Sequence, residues 1–330
     1  MKKHLFLFAL LTGVIGLYAQ QVYTRTTKLM GSRYDISVVA GNREEGNRYI
    51  DMAVQEIKRI EKMISSWDPS SETSEINRNA GIKPVKVSKE LFDLIKRSLL
   101  ISQITDGAFD ISYASMDRIW KFDGSMTRMP DSATVKKSVE KVGYRHIILD
   151  EKNQTVFLER KGMKIGFGAI GKGYSADKAK ALLISKGVKA GIINASGDMN
   201  TWGTKPDGSP WTIAITNPMD KKKAFGIFEL RENAVVTSGN YEKYVVFNGI
   251  RYTHIINPKT GYPAHGLLSV TVFAPKAELA DALATAVFVM GKDKGIKLID
   301  QIPATECLIV DDRGRVFTSK NIHVNTKPNR

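Results

Sequence analysis

The chain has 330 residues, of which 42% are hydrophobic and 25% charged, which excludes a disordered or low-complexity protein and leaves room for one large domain or two modest ones. The formal net charge is +15, but the basic residues are scattered and Lys221-Lys222-Lys223 is the only tight run, expected as a solvated loop, so no nucleic-acid partner is expected. A single cysteine, Cys307, excludes an internal disulfide and, in Glu-Cys-Leu-Ile-Val, reads as a buried strand residue.

The N-terminus comes first. Lys2 and Lys3 precede an apolar run from Leu5 to Tyr18, and Ala19 offers a small residue before Gln20. This is the pattern of a secretory signal peptide over residues 1–19, since a membrane span needs about 20 apolar residues. No cysteine follows the run for a lipid anchor. The mature protein, residues 20–330, is expected to be soluble and exported to the periplasm or cell envelope.

Val22 to Ala40 alternates like a strand pair broken at Gly31-Ser32. From Glu44 to Ile64, Ile50, Val54, Ile57, Ile60 and Ile64 fall on one helical face. Ser65 to Lys83 reads as a loop. Ser88 caps a second helix to about Ile104, which Thr105-Asp106-Gly107 ends. A short helix follows near Ser132 to Val142, then a hairpin of His146 to Leu149 with Thr155 to Glu159. Met163 to Phe167 reads as a strand, followed by a glycine-rich turn and a helix from Gly173 to Ser185. Strands are expected at Ala190 to Asn194, Trp211 to Thr216, Gly226 to Leu230 and Ala234 to Thr237. Asn248-Gly249 marks a tight hairpin between Tyr244 to Phe247 and Arg251 to Ile256. A strand from Leu267 to Ala274 precedes helices at Glu278 to Met290 and Lys292 to Ile302, and a last hairpin turns at Asp311 to Gly314. Antiparallel runs with grouped helices favour an α+β unit of mixed or antiparallel sheets with flanking helices, possibly in two lobes.

The glycine turn, Gly166-Phe167-Gly168-Ala169-Ile170-Gly171-Lys172-Gly173, fits G-x-G-x-x-G and nearly fits the P-loop string. Both familiar assignments fail. The P-loop needs Ser or Thr where Gly173 stands, and the dinucleotide fold needs an acid closing the second strand, whereas the first acid here is Asp198 after Ala-Ser-Gly. The shared physics survives: small residues admit a phosphate, and a helix N-terminus beside Lys172 attracts it. A purely structural turn remains an alternative.

Asp281 and Thr285, four apart, project from one face of a helix. With a backbone carbonyl they make a sparse oxygen site of the kind that magnesium accepts when a diphosphate completes it. An Asp favourable at a helix N-terminus is the plain alternative. His254, at a strand end before Asn257-Pro258, is either a phosphate contact or base, or a histidine without a chemical role.

Together these segments resemble the ApbE family of FAD:protein FMN transferases. Met30-Gly31-Ser32-Arg33-Tyr34, Ser65-Ser66-Trp67-Asp68 with Ser71 to Asn77, and Thr105 to Asp110 are similar to family segments. So are Gly168 to Tyr174 with Asp177, Asn194 to Asp198, His254 to Pro258, and Ala280 to Ala286. The resemblance covers nearly the whole mature chain in the expected order. It implies Asp281, Thr285 and the Ala169 carbonyl as magnesium ligands. It implies Met30, Trp67, Ala108, Phe109, Asp110, Gly166, Lys172, His254 and Ile255 as FAD contacts, with the Trp67 indole covering the flavin or, alternatively, sitting in the core. His254 and Asp281 are the implied catalytic residues. Two departures stand out: Gly166 and Asn257 occupy positions where the family usually has Asp.

The implied reaction is magnesium-dependent transfer of FMN from FAD to a threonine hydroxyl of an acceptor flavoprotein, releasing AMP. The acceptor expected for the family belongs to a membrane redox complex. Hydrolysis of FAD to FMN and AMP, and non-catalytic FAD binding, are the alternatives.

Overall fold

A computed structural model of the chain describes residues 20–230, 232–239 and 244–322. The proposed leader, residues 1–19, lies outside the described residues. In chain order the elements are β1 (Gln21–Leu29), β2 (Ser32–Ala40), α1 (Arg43–Ile64), α2 (Glu72–Arg78), β3 (Val85–Lys86), α3 (Lys89–Ile104), α4 (Ser132–Ser138), β4 (Ile147–Asp150) and β5 (Thr155–Leu158). They continue as α5 (Gly171–Ser185), β6 (Gly191–Ala195), β7 (Asp198–Trp202), β8 (Trp211–Asn217), β9 (Asp220–Leu230), β10 (Ala234–Gly239), β11 (Tyr244–Phe247) and β12 (Ile250–Thr253). Last come β13 (Leu267–Ala274), α6 (Ala277–Met290), α7 (Lys292–Ile299), β14 (Glu306–Asp311) and β15 (Val316–Thr318).

Eight strands form one sheet in the order β1-β2-β6-β7-β10-β13-β14-β15, with every pair antiparallel. The expected α+β architecture is what the chain adopts. Helices α1 and α5 cover the β1-β2-β6 end, where Ile36, Val38 and Ile193 meet Ile50, Ile57, Ala176 and Leu183. Helix α6 covers β10 and β13 through Val236, Val270 and Val272 against Leu283 and Val287. On the opposite face, Val235 and Phe273 pack against Ile213, Ile215 and Leu230 of the β8–β9 hairpin. That double cover explains why β13 is buried at all eight positions and reads as a continuous apolar run.

A second core gathers the end of α1, α3 and the small β3-β5-β4 sheet, with Ile170, Tyr174, Ala282 and Ala286 at its border. The glycine turn and helix α6 therefore sit where the two cores meet.

Four expectations need correction. Met163 to Phe167 joins no sheet. Side chains satisfy its middle instead: Asn77 donates to the Ile165 carbonyl at 3.0 Å and accepts the Ile165 amide at 2.8 Å. Ser115 makes the same reciprocal pair with Lys164, at 2.8 and 2.7 Å. The Met163 and Gly166 amides reach the Arg160 and Ile111 carbonyls, so the segment is satisfied without a ladder. The loop expected at Ser65 to Lys83 contains α2, capped by Ser71, whose side chain accepts the Ser74 amide. Lys221 to Lys223 lie in β9 rather than in a loop, because the β8–β9 hairpin turns earlier, between Asn217 and Asp220. The strand expected to run to Ile256 ends at Thr253.

Candidate active site

The glycine turn is built by two apolar anchors. Phe167 and Ile170 are buried in the second core, and each such side chain contributes about 1.5–3 kcal/mol. Gly168 and Ala169, between them, are left at the apex, exposed and half-buried. The Phe167 carbonyl accepts the amides of Ile170 at 3.2 Å and Gly171 at 2.7 Å, closing the bend into α5. The N-cap residue of α5, Ile170, offers no side-chain acceptor of its own, and the dipole end of the helix faces the bend.

Three glycines here stand at close approaches, against side-chain ends at Gly171 and Gly168 and against backbone at Gly173. A Cβ on Gly171 would lie 2.8 Å from the Ile64 side chain, and one on Gly168 would lie 2.4 Å from the Tyr113 hydroxyl. A Cβ on Gly173 would lie 2.2 Å from the Ala277 carbonyl oxygen and 2.9 Å from the Asp281 Cβ. The contact at Gly173 brings α5 and α6 together. Across it, the Gly173 amide donates to Asp281 Oδ2 at 3.1 Å.

Asp281 is thus a buried carboxylate bound to the first turn of the glycine-turn helix. Thr285 follows one turn later on α6 and is half-buried. Ala169, the third implied ligand, packs against the cluster that holds Ala282 and Ala286 of that helix. Among the described residues, no three His, Cys, Asp or Glu gather as a metal cluster. Any cation here would rest on one carboxylate, one hydroxyl, a carbonyl and its ligand's own oxygens.

Lys172 pairs with Asp198, which is buried at the start of β7 beyond a tight turn with Ser196 and Gly197 at positive φ. Burial, then the charge of Asp281, pushes Asp198 up to about 7, against the pull of Lys172. Burial also raises Asp281, opposed by Lys172 and the Gly173 amide. Burial pulls Lys172 down, but the charges of Asp198 and Asp281 outweigh it, and the lysine stays cationic. Two buried carboxylates share one ammonium, leaving the trio one positive charge short. A hard divalent cation fits this oxygen set and this charge deficit.

Met30 belongs to the same wall. Its backbone turns at positive φ, its Sδ receives a contact from the Tyr34 hydroxyl at 3.1 Å, and its Cε lies 3.5 Å from the position of a Cβ on Gly171. Tyr34 also meets Ser175 Oγ at 3.0 Å, and Ser175 donates to the Lys172 carbonyl at 2.8 Å.

Trp67 is 76% exposed, which rules out the core alternative for its indole. Arg118 lies over the ring, 4.5 Å from its centroid. The neighbouring Ser66 Oγ is 3.8 Å from where a Gly166 Cβ would sit, so the tryptophan loop flanks the glycine turn. His254 stands exposed just after β12, its Nδ1 3.5 Å from Thr253 Oγ1. Ile255 packs against the core cluster of α6, which brings the histidine to that helix's flank.

The Ala108-Phe109-Asp110 segment is placed differently from the other implied FAD contacts. Ala108 and Phe109 are buried in the second core. Asp110 is engaged as a cap, accepting the Ser112 amide and hydroxyl at 2.8 and 2.6 Å and the Tyr144 amide at 2.8 Å. Their side chains hold the short helix at Ile111–Ser115, and the residue of that helix which reaches the bend is Tyr113. Burial raises the Tyr113 phenol, while a hydrogen bond with the Gly168 backbone opposes it.

Tyr113 and Arg118 lie beside the bend and the Trp67 ring, and no motif reading singles them out. Asp198 ends a segment that resembles the family, but its pairing with Lys172 is visible only in the fold. The two departures from the family pattern sit in defined surroundings. At Gly166 a Cβ would lie 3.1 Å from the Ala114 Cβ and 3.7 Å from the Tyr113 hydroxyl, a tight but not closed position. Asn257 Oδ1 accepts the Lys259 amide at 2.9 Å, a turn role that Asn and Asp perform equally.

The ApbE family matches residues 30–309 of the chain. The FAD:protein FMN transferase of Klebsiella pneumoniae (strain 342) is 31% identical over 303 residues, covering 91% of this chain and 90% of that protein. That of Treponema pallidum (strain Nichols) is 31% identical over 281 residues, covering 81% and 78%. Among solved structures, the ApbE protein of Thermotoga maritima MSB8 superposes with a TM-score of 0.82 at 33% identity, over 91% of this chain and 97% of that one. The apo flavinyl transferase ApbE of Pseudomonas stutzeri gives a TM-score of 0.80 at 27% identity, over 92% and 96%. The matched span contains Met30, the glycine turn, His254 and helix α6, and the chain belongs to the ApbE family.

Proposed function

We propose that this chain is a flavin transferase that moves FMN from FAD to a threonine hydroxyl of an acceptor protein, with release of AMP. Family membership supports the transferase class. The observation that carries the finer reading is the Gly173–Asp281 hydrogen bond, which joins the helix of the glycine turn to the carboxylate helix as one rigid wall. A diphosphate lying against the Gly168–Ala169 apex would meet the dipole end of α5 on one side and Asp281 on the other.

Asp281, Thr285 and the Ala169 carbonyl would hold magnesium, which when bound supplies charge to offset that of the diphosphate. The remaining work belongs to the chain. Lys172, engaged by Asp198, moderates the buried negative charge instead of acting as a free phosphate hook. Gly168 admits the ligand close to the backbone. The exposed Trp67 indole offers a face to the isoalloxazine. His254, open to solvent, is suited to orient or deprotonate an incoming threonine hydroxyl.

Export is part of the proposal. The leader at residues 1–19 would be removed, and the acceptor would be a flavoprotein of a membrane redox complex. The mass of the secreted protein tests the first point, since it should begin near Gln20.

The activity is tested by incubating the protein with FAD and magnesium, with and without a threonine-containing acceptor peptide. Covalent flavin fluorescence on the peptide with stoichiometric AMP is expected, and a chelator should abolish both. AMP without labelled peptide would make the protein a hydrolase, and unchanged FAD would make it a binding protein.

A further inference from the structure

Helix α6 has no cap of its own, since Lys276 at its N-terminus offers no side-chain acceptor. The cap comes from another helix. Asp177 of α5 accepts the Ala277 amide through Oδ1 at 2.9 Å and the Glu278 amide through Oδ2 at 3.0 Å. Gly173 lies one turn earlier on the same face of α5, and its amide donates to Asp281. The two helices therefore cap each other: an α5 amide serves an α6 carboxylate, and an α5 carboxylate serves two α6 amides. A third element joins them. Asn200 of β7, itself buried, donates to Asp177 Oδ1, and it lies two residues along the strand from Asp198, the partner of Lys172. Lys180 holds Asn200 in turn, donating to its Oδ1 at 3.0 Å.

We propose that Asp177 is a positioning residue of the site, a side chain that ties together α5, α6 and β7, the elements carrying Lys172, Asp281 and Asp198. It touches no ligand itself. It sets how far α6 slides along α5, and so where Asp281 and Thr285 stand relative to the Ala169 carbonyl. Gly173 allows the close approach, but a glycine contact alone leaves sliding and rotation open, and two hydrogen bonds to consecutive amides remove both. The inference rests on the proposed magnesium-dependent reaction for its functional consequence, though its geometric content stands apart from it.

The test compares the whole protein with Asp177→Ala, Asp177→Asn and a control, Asn42→Ala, which removes the N-cap of α1 far from the site. Loss of a group that positions metal ligands shifts metal affinity by about 10–100-fold, so the magnesium concentration for half-maximal AMP release should rise by that factor in Asp177→Ala. The KM for FAD at saturating magnesium should stay within about threefold, because no ligand contact is lost. Asp177→Asn, retaining one acceptor oxygen, should fall between, and Asn42→Ala should lower the melting temperature without moving the magnesium midpoint. A midpoint in Asp177→Ala that moves no further than in the control overturns the proposal.

Hydrogen exchange separates this outcome from failure of the functional reading. If the wild type does not turn over FAD, the reaction is wrong, yet at least one of the Ala277 and Glu278 amides should still exchange at least about tenfold faster in Asp177→Asn with α1 unchanged. Unchanged exchange at those two amides would also overturn it, and this holds even if Asp177→Ala does not fold.

Discussion

The two sides of the candidate site are built on opposite plans. On the helix side, Asp281, Asp198, Gly173 and Ile170 are all buried, Asp281 holds the Gly173 amide and Asp198 holds Lys172. On the rim, Trp67, Arg118 and His254 stand in solvent, and Tyr113 is 37% exposed. Buried, mutually bound groups cost reorganisation only once, during folding, and so suit a diphosphate and cation that must be held in one geometry. Exposed groups on short turns can adjust to a large flat ring and to an incoming protein. The contrast suits the wall to the proposed diphosphate and cation, and the rim to the flavin ring and the incoming acceptor that His254 would meet.

The sharpest way to break this comparison is Asp281→Ala. Activity should fall by about a thousandfold or more, the range for removing a principal electrostatic group. The melting temperature should change little, because relief of two carboxylates competing for Lys172 offsets the lost hydrogen bond from the Gly173 amide. Substantial turnover by this variant would move the chemistry away from the wall.

Gly173→Ala tests whether the wall depends on helix contact. A Cβ there meets the Ala277 backbone and Asp281, so stability should drop by about 1–3 kcal/mol in urea unfolding, with activity lost in parallel. Normal stability would mean that α5 and α6 tolerate separation.

Trp67→Ala probes the rim. Its side chain is exposed, so stability should change by less than about 0.5 kcal/mol. Loss of a stacked aromatic should raise the KM for FAD by about tenfold. A variant that binds FAD normally would remove the indole from the recognition surface.

The smallest effect is a pH slope. Burial pushes Asp177 from 3.8 up to about 6, with Glu278 adding to the rise and the amides of Glu278 and Ala277 and the Asn200 side chain opposing it. A carboxyl with a raised folded pKa binds protons more tightly in the native chain than in the unfolded one. Its contribution to stability therefore falls as pH rises from near 4 through about 6 and is level above that. The stability difference between wild type and Asp177→Asn should narrow between pH 4 and pH 7. A constant difference would contradict the raised pKa.

Much of the wall was legible because it is local. The spacing of Asp281 and Thr285 needs only helical geometry, Ser88 caps α3 by its own hydroxyl, and Asn248-Gly249 turns the β11–β12 hairpin. Less of the rim could be read. Phe109 and Asp110 stand in a segment that resembles flavin-contacting sequence, and only the packing showed their side chains turned inward, with Tyr113 facing the bend instead.

The amino-acid sequence alone determined the α+β class, the glycine bend before a helix and the oxygen pair on α6, because periodicity, turn chemistry and one helical turn of spacing are short-range properties. Tertiary structure alone decided that Lys172 pairs with Asp198 across 26 positions, that Asp177 caps a helix 100 positions away, and that Met163 to Phe167 joins no sheet and is held by Asn77 and Ser115. Those contacts depend on which faces the two cores bury against each other, and no local rule carries that information.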